Sequence, residues 1–164
     1  APTAFFSITS QSNATVATSG GTNQFLELVF PVIRDVQPIV RACAVDALSQ
    51  CLKILVDRQQ MSLTSMLCGL HFELMDGLEY DPTKKRKNGS QTVIKADAAH
   101  HGSLLVVSSM LEYTPNFVEP RFDEICVAVL NFCNHPKALI RLEVVRLLPR
   151  LARRSPGTFG RRYL

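Results

Sequence analysis

The chain has 164 residues, 46% of them hydrophobic and 20% charged, with a net charge of +4 and no tryptophan. That balance excludes a disordered chain, and the length suits one domain or one piece of a larger array with a real core. The lack of any uninterrupted apolar run of about 18 residues excludes a transmembrane segment, and aromatics at only 7% suggest an aliphatic core of helix upon helix.

Pro2 to Ile8 reads as the end of a preceding helix or the start of a truncated one. The Ser-, Thr-, Asn- and Gly-rich stretch over 7–22 lacks the apolar area to order itself and reads as a loop. Asn23 is a candidate N-cap for a short helix carrying Phe25, Leu26, Val29, Val32 and Ile33, with Pro31 as a bend. Arg34 to Gln37 is a tight turn.

The stretch DVQPIVRACAVDALSQCLKIL, Asp35 to Leu55, is the clearest helix. Pro38 suits its first turn, and the Asp35 carboxylate suits its positive end. Val40, Ala44, Ala47, Leu48, Cys51 and Leu55 make its apolar stripe, with Asp46, Gln50, Lys53 and Asp57 opposite. Arg41 is spaced to reach back to the turn or to an acid of a neighbouring repeat. Met61 to Tyr80 is the next helix, with the stripe Leu63, Met66, Leu67, Leu70, Leu74 and Leu78. Glu73, Asp76 and Glu79 oppose the dipole at its end, and the lysines that follow are expected to compensate.

Residues 81–95 hold Pro82, Asn88-Gly89 and the run Lys84, Lys85, Arg86, Lys87, and read as a loop. The four cations loosely match a nuclear-import or nucleic-acid patch, but a solvated loop explains so short a run better. Phosphate on Ser90 would partly neutralise them. A fourth helix over 96–111 is apolar on most sides, with Gly102 and small neighbours permitting close approach. Pro115 ends it. Pro120 begins a fifth, with Phe122, Ile125, Cys126, Val129 and Leu130 in register. A sixth runs from Leu139 to Arg153, kinked or weakened at Pro149, and Ser155-Pro156-Gly157 closes it. No stretch passes the test for a strand. The expected helix pairs span about 23–59, 61–111 and 119–154, in a single segment covering 1–164.

The long second helix has a partner in the sequence. In NHPKALIRLEVVRLLPRL, Ile140, Val144, Leu147, Leu148 and Leu151 match Val40, Ala44, Ala47, Leu48 and Cys51, and Arg141 matches Arg41. A proline-bearing turn followed by an aliphatic-Arg helix start occurs twice, as in a repeat, the alternative being two ordinary amphipathic helices that start alike. The chain opens at Ala1 without a methionine and stops within GRRYL, so an excerpt of a longer chain is expected, and no signal peptide is visible.

The chemistry-bearing patterns are absent. No phosphate-binding glycine loop, zinc-protease helix or nucleophile elbow occurs, and no cofactor is expected. His100 and His101 diverge on a helix, while His71 and His135 lie far off in sequence. All four read as structural. Cys43, Cys51, Cys68, Cys126 and Cys133 are odd in number and lack metal-site spacing. They read as buried free thiols of a reducing compartment, which leaves the sequons at Asn13 and Asn88 unused. Eight cations lie between Lys137 and Arg162, among them Arg150, Arg153 and Arg154, against the single acid Glu143. With few aromatics interleaved, that basic end suits a protein contact rather than nucleic acid, the alternative being a solvated face of the next solenoid turn.

The turn–Pro–x–aliphatic–Arg–x₂–Ala pattern of Asp35–Ala44 resembles the start of the second helix of a HEAT repeat, whose hallmark is Asp in the turn and Arg early in the helix. More narrowly, PTAFF at Pro2–Phe6, IVRACAVDALSQCL at Ile39–Leu52, HGSLLVVSSML at His101–Leu111, FDEICVAVL at Phe122–Leu130 and LIRLEVVRLLPRLARRSPGTF at Leu139–Phe159 resemble the amino-terminal HEAT region of the target-of-rapamycin (TOR) kinases. The resemblance implies an all-α HEAT-repeat α-solenoid, an armadillo-like superhelix of antiparallel helix pairs, with Asp35, Pro38, Arg41 and Arg141 as hallmark positions. His135 stands where the second copy would carry Asp, so that copy is degenerate.

The resemblance further implies a very large protein serine/threonine kinase of fungal origin whose catalytic residues lie elsewhere. This segment would then be a cytoplasmic scaffold, reaching vacuolar or lysosomal membranes through its complex, in nutrient-controlled growth. Its partners would be the rest of the solenoid, a second TOR protomer and a Raptor-like subunit, and no nucleic acid. Lys84–Lys87, Arg150, Arg153 and Arg154 are the candidate partner surface. The alternative reading is a stand-alone helical-repeat adaptor whose basic face meets an acidic protein.

Overall fold

Prolines and a serine mark the starts of four helices in the computed structural model, which describes residues 20–58, 63–81, 83 and 90–163. The helices are α1 (Gly20–Ile33), α2 (Pro38–Asp57), α3 (Leu63–Gly77), α4 (Gln91–Tyr113), the single turn α5 (Pro115–Val118), α6 (Phe122–Leu130), α7 (Ala138–Arg154) and α8 (Pro156–Tyr163). A 3₁₀ turn, Glu119–Arg121, joins α5 to α6. Pro38, Pro115 and Pro156 each occupy a first helical position, where the missing N–H costs nothing. Ser90 caps α4, its Oγ accepting from the Thr92 N–H at 3.3 Å. No strand occurs among the described residues.

The helices form two layers of an all-α repeat solenoid. In one layer α2 packs on α4 and α4 on α7; in the other α1 packs on α3. Between layers, α1 meets α2, α3 meets α4, and α6 meets α7. Leu48, Leu52, Leu70, Leu74, Leu104, Ile125, Ile140 and Leu147 fill the space between, each at most 1% exposed. Burial of such a side chain contributes roughly 1.5–3 kcal/mol, so the two-layer arrangement follows from the apolar stripes. Two glycines set the closest approaches to and from α4. A Cβ on Gly102 would lie 2.1 Å from the Ile33 carbonyl oxygen, and one on Gly77 would lie 2.0 Å from Ser103 Oγ.

Several elements differ from the sequence expectation. Asn23 lies inside α1, which starts at Gly20, and residues 91–95, read as loop, form the first turn of α4. Lys84–Lys87 and residues 1–19 lie outside the described residues. Pro120 sits in the 3₁₀ turn, and α6 opens on Phe122. α7 continues through Pro149 to Arg154, with Pro149 on its exposed side. Pro156 does not close the chain's helices but opens α8, whose Phe159 is only 2% exposed.

α2 is rotated from its expected face by about one residue. Its buried positions are Arg41, Val45, Leu48, Ser49 and Leu52, whereas Ala47 is exposed and Ala44, Cys51 and Leu55 are half-buried. An apolar stripe misses this, because two polar residues carry the seam to α4. Arg41 Nε donates to His101 Nδ1 at 3.0 Å, and Ser49 Oγ and Ser109 Oγ lie 2.6 Å apart. The cysteines also differ from expectation: Cys126 is buried, Cys51 is half-buried, and Cys43, Cys68 and Cys133 are exposed.

Candidate functional site

Two turns of the chain, 100 residues apart, have the same construction. In the first, Asp35 Oδ1 accepts from the Gln37 N–H at 2.7 Å, and Arg41 Nη1 donates to the Asp35 carbonyl oxygen at 2.6 Å. In the second, His135 Nδ1 accepts from the Lys137 N–H at 3.2 Å, and Arg141 Nη1 donates to the His135 carbonyl oxygen at 2.7 Å. Gln37 and Lys137 precede their helices in extended conformation, with φ −87° and ψ 123° in one and φ −79° and ψ 119° in the other. The imidazole therefore does the capping work of the carboxylate, and Arg closes both turns through a backbone carbonyl. A side chain that accepts near its own backbone is what either position requires.

α4 lies between the two turns and is tied to both. His101 takes the Arg41 bond, and Asp97, one helical turn earlier on the same edge, has its Oδ1 3.5 Å from His135 Nε2. Because His135 Nδ1 accepts, its proton sits on Nε2 and faces Asp97; His101 Nδ1 also accepts, so His101 carries its proton on Nε2. Burial, then the neighbouring Arg41 and Arg146 cations, pull the His101 pKa down to about 4. The ring is thus neutral and free to accept. Arg41 is 3% exposed, and burial lowers its pKa while nearby Asp35 counteracts.

Behind this edge stands an aromatic cluster that sequence reading did not find. Tyr80 stacks on Phe132 with ring centroids 4.9 Å apart, and His100 and His135 pack on both rings. His100 Nδ1 faces the Gly77 carbonyl oxygen at 3.0 Å and so must donate. The signal available in the sequence was the position of His135 in the hallmark Asp slot; its neighbours Tyr80 and His100 come from distant stretches. His71 sits apart, its Nε2 3.3 Å from Glu124 Oε2. Among the described residues no three His, Cys, Asp or Glu side chains are placed to hold a metal.

A groove of about 190 Å³ opens on the same edge, floored by Arg41 and His101 and walled by Val36, Ile94, Leu139 and Ile140. Val36, Ile94 and Leu139 are 49%, 41% and 39% exposed. A second groove of about 430 Å³ runs between α1 and α3 beside Phe72, which is 73% exposed.

The basic end is more neutralised than its sequence suggests. Arg146 pairs with Glu143 at 3.3 Å, Arg150 with Glu112 at 3.2 Å and Arg162 with Asp123 at 2.6 Å. Glu112 and Asp123 come from other helices, which a count along the sequence misses. Tyr163 also donates to Asp123, and that bond, ahead of burial, holds its phenol up to about 12. Arg153 and Arg154 are exposed and meet no acid among the described residues. The acids of α3 are balanced differently from expectation: Arg34 Nη2 bonds Glu73 Oε2 at 3.2 Å and Asp76 Oδ2 at 3.0 Å. The turn before α2 supplies the charge that the following lysines were expected to bring.

No protein-family model matches the chain, and no solved structure matches it significantly. The sequence is similar to that of the serine/threonine-protein kinase TOR of Arabidopsis thaliana, with 30% identity over 141 residues, or 86% of this chain. It is equally similar to the kinase of the same name in Oryza sativa subsp. japonica, and 27% identical over 132 residues, or 80% of the chain, to the serine/threonine-protein kinase tor1 of Schizosaccharomyces pombe. The relatives are plant and fungal alike. The chain spans 5% of the length of each, so it resembles one short segment of a much larger protein.

Proposed function

We propose that this chain is an architectural HEAT-repeat segment of a TOR-type protein serine/threonine kinase, scaffolding the complex that couples growth to nutrients. The observation that carries the reading is the paired turn: Arg41 and Arg141 close two helix starts 100 residues apart in one way, within the stretch that matches those kinases. The histidines support it. His100, His101 and His135 are spent on backbone, arginine and Asp97 contacts, which is the work of a scaffold. Catalysis then belongs to other parts of the parent, and the partners of this segment are the adjoining solenoid, a second TOR protomer and a Raptor-like subunit. Its place is the cytoplasm and the endomembrane surfaces that the parent complex visits. No helix among the described residues is long and apolar enough to cross a membrane. The stand-alone adaptor reading draws less support, since three of its basic-face arginines are already paired within the chain.

Blotting a source-cell extract with an antibody raised to Pro115–Leu139 tests the proposal. A band of several hundred kilodaltons is expected; a band near 18.2 kDa would sink it.

A further inference from the structure

The groove beside the two Arg turns is built from three elements. Val36 lies in the turn before α2, Ile94 in the first turn of α4, and Leu139 and Ile140 in the first turn of α7. Folding brings these apolar side chains together and leaves Val36, Ile94 and Leu139 exposed. Beneath them lie polar groups with donors to spare. Arg41 is buried and spends Nε on His101 and Nη1 on the Asp35 carbonyl oxygen, but its Nη2 meets no acceptor among the described residues. His101 accepts at Nδ1, so its Nε2 carries a proton, and that N–H likewise meets no acceptor among the described residues. Exposed Lys137 completes the lining and pairs with no acid among the described residues.

Those donors suit a carboxylate. Asp97 is the acid on the lining, and its Oδ1 is turned to His135 Nε2 at 3.5 Å. Asp35 Oδ1 is spent on the Gln37 N–H. The stretches outside the described residues, 1–19, 59–62, 82, 84–89 and 164, contain no Asp or Glu, and Lys84–Lys87 carries the same sign as Arg41 and Lys137. No acidic side chain can therefore come from them. The groove's volume of about 190 Å³ falls below the roughly 300–1,000 Å³ of small-molecule sites and suits a side chain or two of a peptide. Its lining holds no Phe, Tyr or Trp, the side chains on which the bases of a nucleic acid would stack.

We propose that this groove docks a short acidic–aliphatic segment of a partner protein. The segment's Asp or Glu carboxylate accepts from Arg41 Nη2 and Lys137 Nζ, with the His101 Nε2–H beside them. A neighbouring aliphatic side chain of the segment lies between Val36, Ile94 and Leu139. Arg41 is already fixed by its two internal bonds, so its remaining donors are preorganised and little side-chain entropy is lost when an acid binds. The apolar walls keep water from the pair and strengthen each charge-assisted bond. The inference goes beyond the architectural reading and does not rest on it, because every residue it uses lies in this chain.

The test is a differential selection from a random peptide library, run on the full-length native polypeptide and on its Lys137→Glu and Ile94→Asp variants. Both side chains are exposed and stand at helix starts, where a carboxylate meets the positive end, so neither change threatens the fold. Peptides that pair an acid with a neighbouring aliphatic residue are expected to be retained by the native polypeptide. Titration of the best of them, labelled with fluorescein, is expected to show binding about tenfold or more weaker in each variant. Arg153→Glu, at the far end of α7, is expected to leave that binding unchanged. The inference is overturned if the native polypeptide and the variants retain the same peptides, or if the peptides that distinguish them lack an acid. Equal weakening by Arg153→Glu, the sign of unspecific charge attraction, overturns it too. So does self-association lost in the Lys137→Glu variant, which would give the groove to a second copy.

Discussion

Arg41 shows how one side chain joins local and long-range structure. Its Nη1 closes the turn that starts α2, and its Nε crosses to α4. Arg41→Ala leaves a buried imidazole nitrogen and a backbone carbonyl unsatisfied, and is expected to destabilise the segment by about 3 kcal/mol in urea titration. Arg141→Ala, at the exposed counterpart, is expected to cost about 1 kcal/mol or less. Equal losses would show that the cross-helix bond contributes nothing. His101 gives the pH dependence. Its folded pKa, about 4, lies below the ordinary 6.5, so between those values the unfolded chain binds the extra proton. The contribution of His101 to stability is therefore fully present above pH 6.5 and falls with pH down to about 4, by which point roughly 3 kcal/mol of it is lost. His101→Gln, which keeps an acceptor without the titration, is expected to flatten that slope; an unchanged slope would place the proton uptake elsewhere.

At the scale of elements, the close approach of α4 to α1 decides how the layers fit. Gly102 presents a bare backbone to the Ile33 carbonyl, and the helix-favouring gain of alanine cannot offset a Cβ placed 2.1 Å from that oxygen. Gly102→Ala is expected to lower stability by about 2–3 kcal/mol, read as a fall in the thermal midpoint, because the contact sets the buried middle of α4 against the backbone at the end of α1. A neutral result would mean that α4 can slide, and with it the Arg41–His101 bond. α8 shows the opposite limit of local reading. Ser-Pro-Gly signals an end, but Pro156 is also a permissible first residue, and burial of Phe159 decides between the two.

At the scale of the whole molecule, charge is redistributed by folding. The stretch after Lys137 is strongly basic along the sequence, but Glu112 and Asp123 from other helices neutralise Arg150 and Arg162. Arg153 and Arg154 remain as the exposed basic step at the end of α7. Arg153→Glu with Arg154→Glu in the full-length protein is expected to reduce the yield of the assembled complex several-fold at low salt, the difference shrinking as salt screens it. Unchanged yield at low salt would remove those two residues from the partner surface.

The sequence by itself determined the all-α class, the positions of the long helices and the repeated Arg turn, because these rest on residues close together in the chain. The stripe of α3 and that of α7 were legible for the same reason: each buries the apolar side chains that its period lines up. Tertiary structure alone decided the rest. The true face of α2 depends on the polar partners His101 and Ser109, 60 residues away. The cluster of Tyr80, His100, Phe132 and His135 draws on three separate stretches. Folding also covers one copy of the repeated stripe, on α2, and leaves the copy on α7 exposed. Periodicity records which side chains avoid water, while contacts between buried polar groups depend on distances that no local pattern encodes.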